Sequence, residues 1–330
     1  MQKLYLGVDV GSVSTNLVLM NEQSEVTQSL YLRTQGRPLE TIKKGIAGLH
    51  LNDGKIYGVG TTGSARNLAA AVLGADVVKN EITAHAVAAS SLVPGVQTIL
   101  EIGGQDSKII ILRNGVVSDF AMNTVCAAGT GSFLDQQAGR LNIAIEDFGE
   151  IALTAAAPVR IAGRCSVFAE SDMIHKQQLG HNMPEILMGL CEAMVRNYMN
   201  NVGKGKDIKP PVVFQGGVAA NKGIRKAFEK SLGMEIIVPE HFGVMGAVGS
   251  AILAREAVAG GKTTRFRGLA VATGDFSTTG FECSGCPNLC EIVQIGLGED
   301  VLARWGDRCG KWTVQDDQAE REAHSGVESA

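Results

Sequence analysis

The sequence predicts an α/β protein of two domains built on one plan, followed by a small cysteine-rich extension. Three observations predict it. A hydrophobic strand runs into a glycine turn and a second strand near the start (LYLGVDV, GSVST, NLVLM, residues 4–20). The same beginning recurs at 97–123 (QTILEIGG, KIIILRNG, VVSDFAMN), and helical and strand patterns alternate after each hairpin group. Beyond Gly260-Gly261-Lys262 the composition changes, and residues 262–312 carry four of the seven cysteines. The expected units are 1–95, 96–260 and 261–330, with the last helix of the second unit (243–259) a candidate to pack back on the first.

In order, strands are expected at 4–10, 16–20 and 26–33, and a helix at 38–49 ended near Asn52-Asp53-Gly54. A strand at 55–59, the turn GVGTTGSAR, a helix through 64–73 and a helix at 80–93 follow, the last stopping before Pro94-Gly95. Strands at 97–104, 108–115 and 116–123 restart the pattern, with Asn114-Gly115 a strong hairpin signal. Helices are expected at 129–141, 146–153, 166–176 and 183–202, then a buried strand at 211–217 and a helix at 220–232. EIIVPE reads as a strand, 243–259 as a helix, and 313–330 as a polar, disordered tail. No close sequence repeat joins the halves, so the duplication is architectural.

Hydrophobic residues make up 45% and charged residues 19% of the 330, enough for two cores. No apolar stretch is long enough to cross a bilayer, and MQKLYLGVDVG reads as a strand entering a turn rather than a signal peptide. A cytoplasmic protein without a membrane role is therefore expected. The net charge of −4 gives no reason to expect a nucleic-acid partner. Seven cysteines without a secretion signal favour metal or redox use over structural disulfides.

Two loops read as phosphate cradles: Asp9-Val-Gly11-Ser12-Val-Ser14-Thr15 and Glu101-Ile-Gly103-Gly104-Gln105-Asp106-Ser107-Lys108. In each, a carboxylate ends a strand and glycines permit a tight turn, so backbone N–H groups and hydroxyls can surround a triphosphate. Asp9 and Asp106 are candidates to hold hydrated Mg²⁺. A third turn, Gln215-Gly216-Gly217-Val-Ala-Ala-Asn221, suits an adenosine contact of ATP or ADP. Neither a Walker A motif nor GxGxxG is present. Together the loops resemble those of the acetate kinase, sugar kinase, heat-shock ATPase and actin superfamily. That resemblance implies two ribonuclease-H-like domains with the nucleotide between them, and places GVGTTGSA (58–65) and GVMGAVGSA (243–251) at the hinge.

Cys126, in NTVCAAGTGSF, and Cys165, in IAGRCSVFAES, each precede a helix-like run. A thiolate at a helix start faces unsatisfied N–H groups and the positive end of the dipole. Each alone reads equally well as a small buried residue. Set beside two phosphate loops, the pair points to ATP-driven redox chemistry. EIGGQDSK, NTVCAAGTGSFLDQQA and GRCSVFAESDMI closely resemble the activators of 2-hydroxyacyl-CoA dehydratases and benzoyl-CoA reductases, ATPases of the BadF/BadG/BcrA/BcrD type, over about residues 3–256.

The resemblance implies a homodimer in which Cys126 and Cys165 of both subunits hold one 4Fe-4S cluster. It also implies an upstream ferredoxin or flavodoxin donor and an electron-accepting dehydratase or reductase. Position 101 is Glu where that family commonly has Asp. Asp9, Gln105 and Asp106 are the candidate catalytic residues, with Gln105 and Asp106 orienting the attacking water. The nucleotide-binding candidates are Gly11, Ser12, Ser14, Thr15, Glu101, Gly103, Gly104, Lys108, Gly216, Gly217 and Asn221.

Cys283-x2-Cys286-x3-Cys290, with 18 residues between it and Cys309, supplies four soft ligands and is a candidate second iron–sulfur or Zn²⁺ site; surface thiols or a docking segment are the alternative. Cys191 reads as core, and Met183, Met188 and Met194 as core or dimer contacts. His85, His175, His181 and His241 have no ligand-spaced neighbour and read as structural or surface groups, and Lys204, Lys206 and Lys209 as a solvated loop. An N-acetylglucosamine-type small-molecule kinase is the alternative activity, and an ATP-dependent regulator or chaperone a third.

Overall fold

The computed structural model describes residues 2–123 and 125–314. The sequence-predicted disordered tail falls almost wholly outside them. The first unit runs β1 (Gln2–Val10), β2 (Ser14–Asn21), β3 (Val26–Arg33), α1 (Pro38–Ala47), β4 (Gly54–Thr62), α2 (Arg66–Leu73), β5 (Val77–Val78) and α3 (Glu81–Leu92). The second runs β6 (Thr98–Ile102), β7 (Ser107–Arg113), β8 (Val116–Asn123), α4 (Gly131–Arg140), α5 (Ile145–Leu153), α6 (Ser166–Gln178), α7 (Met183–Tyr198), β9 (Val212–Gln215), α8 (Lys222–Leu232), β10 (Ile236–Ile237) and α9 (Met245–Ala257).

The duplication expected from the restart is visible in the sheets. The first is ordered β3-β2-β1-β4-β5 and the second β8-β7-β6-β9-β10. In both, the first three strands are antiparallel neighbours and the fourth and fifth are parallel. Asp9 and Glu101 therefore take matching places near the carboxyl ends of the two central strands, where an open α/β sheet presents ligands.

Helix α9 follows the second sheet in sequence but lies on the first. Gly7 in β1 and Gly60 in β4 make this possible, because a Cβ on either would overlap the helix backbone at Ala247 and Ser250. Apolar residues of α3 and α9 join both sheets, packing Val18 and Met20 with Ile99, Ile110 and Val213. The second unit's own core lies under α4 to α8 and is centred on Phe133, Phe148, Tyr198, Phe214 and Phe228.

Residues after α9 form a third, three-stranded sheet, β11 (Phe276–Glu282), β12 (Glu291–Leu297) and β13 (Asp300–Trp305), which the sequence reading did not predict. Val271 and Ile295 are buried in the same apolar cluster as α1 and α2, so this segment packs on the first unit. Two further differences are local. Cys126 heads a three-residue 3₁₀ turn, Ala127–Gly129, and the α-helix begins at Gly131. The expected helix through 202 becomes a π turn at Met199–Gly203.

Candidate functional site

The two central strands deliver Asp9 and Glu101 into one cleft, which is also lined by Gly11, Ser12, Ser14, Gly103, Gly104, Gln105, Asp106, Lys108, Gly216 and Gly217. Lys108 stands directly across the β6–β7 pair from Glu101. Its ammonium lies 3.0 Å from Glu101 Oε2, 2.9 Å from Asp106 Oδ2 and 3.4 Å from Glu81 Oε2. Burial works against that charge, but the three carboxylates outweigh it and hold the lysine protonated. Lys108 is thus engaged within the protein.

Three carboxylates contact the one ammonium and Asp9 feels its field from the same cleft, so negative charge is in excess. Burial pushes the Asp9 carboxyl up to about 7, with Glu81 and Asp106 adding to the rise and Lys108 opposing it. Burial likewise raises Glu101 to about 7, chiefly against the pull of Lys108. A divalent cation beside these groups would restore their charge, so the donor set fits Mg²⁺.

The loops are positioned by close backbone approach. A Cβ on Gly104 would stand 2.7 Å from Val13 Cγ2, so the two phosphate loops touch across the cleft. Gly216 has φ +89°, and a Cβ there would sit 2.8 Å from Glu101 Oε1. Beside this region a cavity of about 450 Å³ is lined by Tyr31, Arg33, Gly217, Asn221, His241 and Phe242 among others, which suits a nucleoside. Asn221 Oδ1 caps α8 through Ile224 N (3.0 Å), while its buried Nδ2 has no protein partner. Thr15 points elsewhere: it is fully buried and bonded to Thr34 Oγ1 at 3.0 Å.

The cysteines stand away from the cleft but are tied to it. Gly131 N and Ser132 N, at the start of α4, donate to Gly103 O (2.8 Å) and Gly104 O (2.9 Å) of the second phosphate loop. Cys126 lies just before that helix, held by Asn123: Cys126 N donates to Asn123 Oδ1 and Asn123 Nδ2 to Cys126 O, both at 2.9 Å. Cys165 is the N-cap residue of α6 and is exposed. Buried Asn197 of α7 joins the two segments, its Nδ2 lying 3.6 Å from Cys126 Sγ and 3.3 Å from Arg164 O. The next residue, Tyr198, donates its hydroxyl to Lys108 O at 2.6 Å.

Around the thiols Val125 is 95% exposed, Val167 67% and Phe168 53%. A half-buried thiol heading a 3₁₀ turn and an exposed thiol at a helix start, flanked by uncovered apolar side chains, fit half of a shared four-thiolate site. In the extension, Cys283 and Cys290 face each other at the β11–β12 end, while Cys286 and Cys309 are exposed on turns. Among the described residues no three Cys, His, Asp or Glu side chains are gathered as an ion-binding group. Cys191 is buried core, as expected, and burial pushes its thiol up.

Sequence reasoning missed Glu81, His85 and Asn197. Glu81 is an ordinary acidic residue in a first helical turn, and only the fold brings it to Lys108. His85 lines the cleft 2.8 Å from Gln215 Nε2, and burial, aided by Lys108, lowers it to about 3. Asn197 carries one usable signal, a polar side chain on the buried face of an apolar helix.

Among the described residues no helix is long and apolar enough to cross a membrane. The (R)-2-hydroxyglutaryl-CoA dehydratase activating ATPase of Acidaminococcus fermentans is 35% identical over 255 residues, covering 76% of this chain and 96% of that protein. The crystal structure of component A of the (R)-2-hydroxyglutaryl-CoA dehydratase of that organism superposes with a TM-score of 0.70 at 32% identity, covering 77% of this chain and 99% of the other. The activator of the 2-hydroxyisocaproyl-CoA dehydratase from Clostridium difficile, solved with bound ADPNP, gives 0.68 at 32% identity, covering 77% and 95%. The sequence model of the BadF/BadG/BcrA/BcrD ATPase family matches residues 6–254, three quarters of the chain and both nucleotide loops with the two cysteines between them and α9, and the chain belongs to that family.

Proposed function

We propose that this protein is an ATP-driven one-electron donor that activates a 2-hydroxyacyl-CoA dehydratase or a related reductase. The observation that carries this reading is the pair of hydrogen bonds that the start of α4, behind Cys126, donates to the second phosphate loop. A change at Gly103 and Gly104 on nucleotide binding or hydrolysis has a direct route to the cysteine segment.

In this reading ATP and Mg²⁺ occupy the cleft, with Asp9 and Asp106 toward the hydrated ion and Gly11, Ser12, Ser14, Gly103 and Gly104 around the phosphates. Gln105 is exposed at the cleft and free to orient the attacking water, with Asp106 beside it. Gly217 and Asn221 face the nucleoside cavity, and Gly216 lines the adjoining phosphate cleft. Cys126 and Cys165 from two copies of the chain would hold a 4Fe-4S cluster, whose chemistry when bound is one-electron transfer. The exposed Val125, Val167 and Phe168 supply apolar surface for that twofold contact. A reduced ferredoxin or flavodoxin is the class of donor such a site requires. The relatives at 30% identity or more with a described activity are dehydratase activators, and the sugar-kinase alternative is not favoured.

Iron and acid-labile sulfide in anaerobically purified protein test the reading. The Cys126→Ser variant is expected to hold about four fewer irons per dimer than the wild type. No iron bound by these cysteines after anaerobic reconstitution would remove the electron-donor reading and leave an ATPase of other purpose.

A further inference from the structure

The four cysteines of the extension lie in the turns beyond one end of the small sheet, where Cys283 and Cys290 face each other and Cys286 and Cys309 are exposed and not yet gathered with them. Glu282 pairs with Glu291 at the end of the β11–β12 ladder, so Cys283 and Cys290 are the next facing residues. Cys283 N donates to Cys290 O at 2.8 Å. Cys286 sits in the turn between them, where Leu289 N bonds to Cys286 O at 3.3 Å. β13 ends beside the start of β12, since Trp305 pairs with Val293, and the chain then turns back until Val314 bridges Arg304. Cys309 lies in that return, three residues before Trp312.

The return is built to stay there. Asp307 accepts from Trp312 N (2.8 Å) and Thr313 Oγ1 (2.7 Å). Trp312 packs edge-on to Phe281, with ring centroids 4.9 Å apart, and its indole N–H donates to Cys283 Sγ at 3.1 Å. An N–H aimed at a cysteine sulfur is the kind of outer contact that orients a metal thiolate. β11 is largely exposed, and the buried strand residues Ile292, Ile295 and Ala303 lie in β12 and β13.

We infer that Cys283, Cys286, Cys290 and Cys309 form an all-thiolate metal centre that staples the open end of this sheet, separate from the ATP cleft and from Cys126 and Cys165. The shared chemistry is four thiolates around a thiophilic metal, supplied either as a single Zn²⁺ or as an iron–sulfur cluster. Cys286 and Cys309, exposed on their turns, move in to complete it, so binding and ordering of the turns are one event. Each thiol that is still protonated loses its proton to solvent as it binds; the zinc form needs no oxidation, and the cluster form takes ferrous and ferric iron with sulfide, so that no further oxidant is required.

The test uses the full chain carrying Cys126→Ser and Cys165→Ser, so that failure of the interface cluster cannot affect it. Titration with Co²⁺ alone is expected to saturate at about one ion per chain with thiolate-to-cobalt absorption, bleached by Zn²⁺. Anaerobic iron and sulfide form the second arm, where about four irons per chain would identify the cluster form instead. Adding Cys286→Ser and Cys309→Ser is expected to abolish binding in whichever arm succeeds. Because that variant could misfold, alkylation of the parent is read as well: metal is expected to protect the four extension cysteines. No binding in either arm, or metal binding without protection of these cysteines, overturns the proposal.

Discussion

Asp9 and Glu101 hold protons in the folded protein up to about pH 7, whereas their ordinary values are 3.8 and 4.5. Between those limits the folded state binds more protons than the unfolded chain, so stability falls as pH rises from about 4 to about 7. The metal-free protein is therefore expected to melt at lower temperature at about pH 8 than at about pH 5, and Mg²⁺ to restore more at the higher pH. Asp9→Asn should flatten this profile and raise the metal-free midpoint at pH 8 while abolishing ATP hydrolysis. Thermal unfolding across pH with and without Mg²⁺ decides it; a flat wild-type profile would rule out the charge imbalance. At the same cleft, Gln105→Ala is expected to slow hydrolysis about 10²-fold while leaving ATP affinity little changed. Equal losses in turnover and binding would show that Gln105 holds the nucleotide rather than the water. These acidic residues were legible as strand ends before glycine turns. Their cage around Lys108 was not, because Glu101 meets it across a strand pair and Glu81 arrives from the other unit.

Helix α7 connects what the sequence left separate. Asn197 and Tyr198 are consecutive, yet one reaches Cys126 and Arg164 while the other holds the carbonyl of Lys108. Tyr198→Phe removes a buried hydrogen bond and is expected to cost about 1–2 kcal/mol. ATP binding should survive, but ATP should no longer change the alkylation rate of Cys126 in cluster-free protein. If nucleotide still alters that rate as in wild type, signals travel through α4 alone. Most elements were readable from period and punctuation. The short edge strands β5 and β10 have two residues each, too few to show alternation. β11, FSTTGFE, is so exposed that it carries no inside–outside pattern, so its sheet was invisible beside the cysteine spacing.

For the whole molecule, the extension is part of the first unit's packing rather than a loose appendage. Val271 and Ile295 are buried with Ile42, Ile46, Val72 and Leu73, and Phe266, Val293 and Trp305 pack against that cluster. Lys43 Nζ donates to Gly274 O at 2.7 Å, and Asp76 accepts from Thr264 Oγ1 and Arg265 N. Fully burying one such aliphatic side chain contributes roughly 1.5–3 kcal/mol, so losing two uncovers α1 and α2 at a cost comparable to a large part of a domain's stability. A chain ending at Gly260 retains both nucleotide loops, both cluster cysteines and α9. It is nevertheless expected to unfold at clearly lower denaturant concentration than the full chain and to show a smaller denaturant slope, since less surface is exposed on unfolding. Urea titration of the two proteins measures both quantities. An unchanged midpoint with a reduced slope would mean that the third sheet folds on its own and only rests on the first unit; a lowered midpoint assigns it to the same cooperative core that positions Asp9.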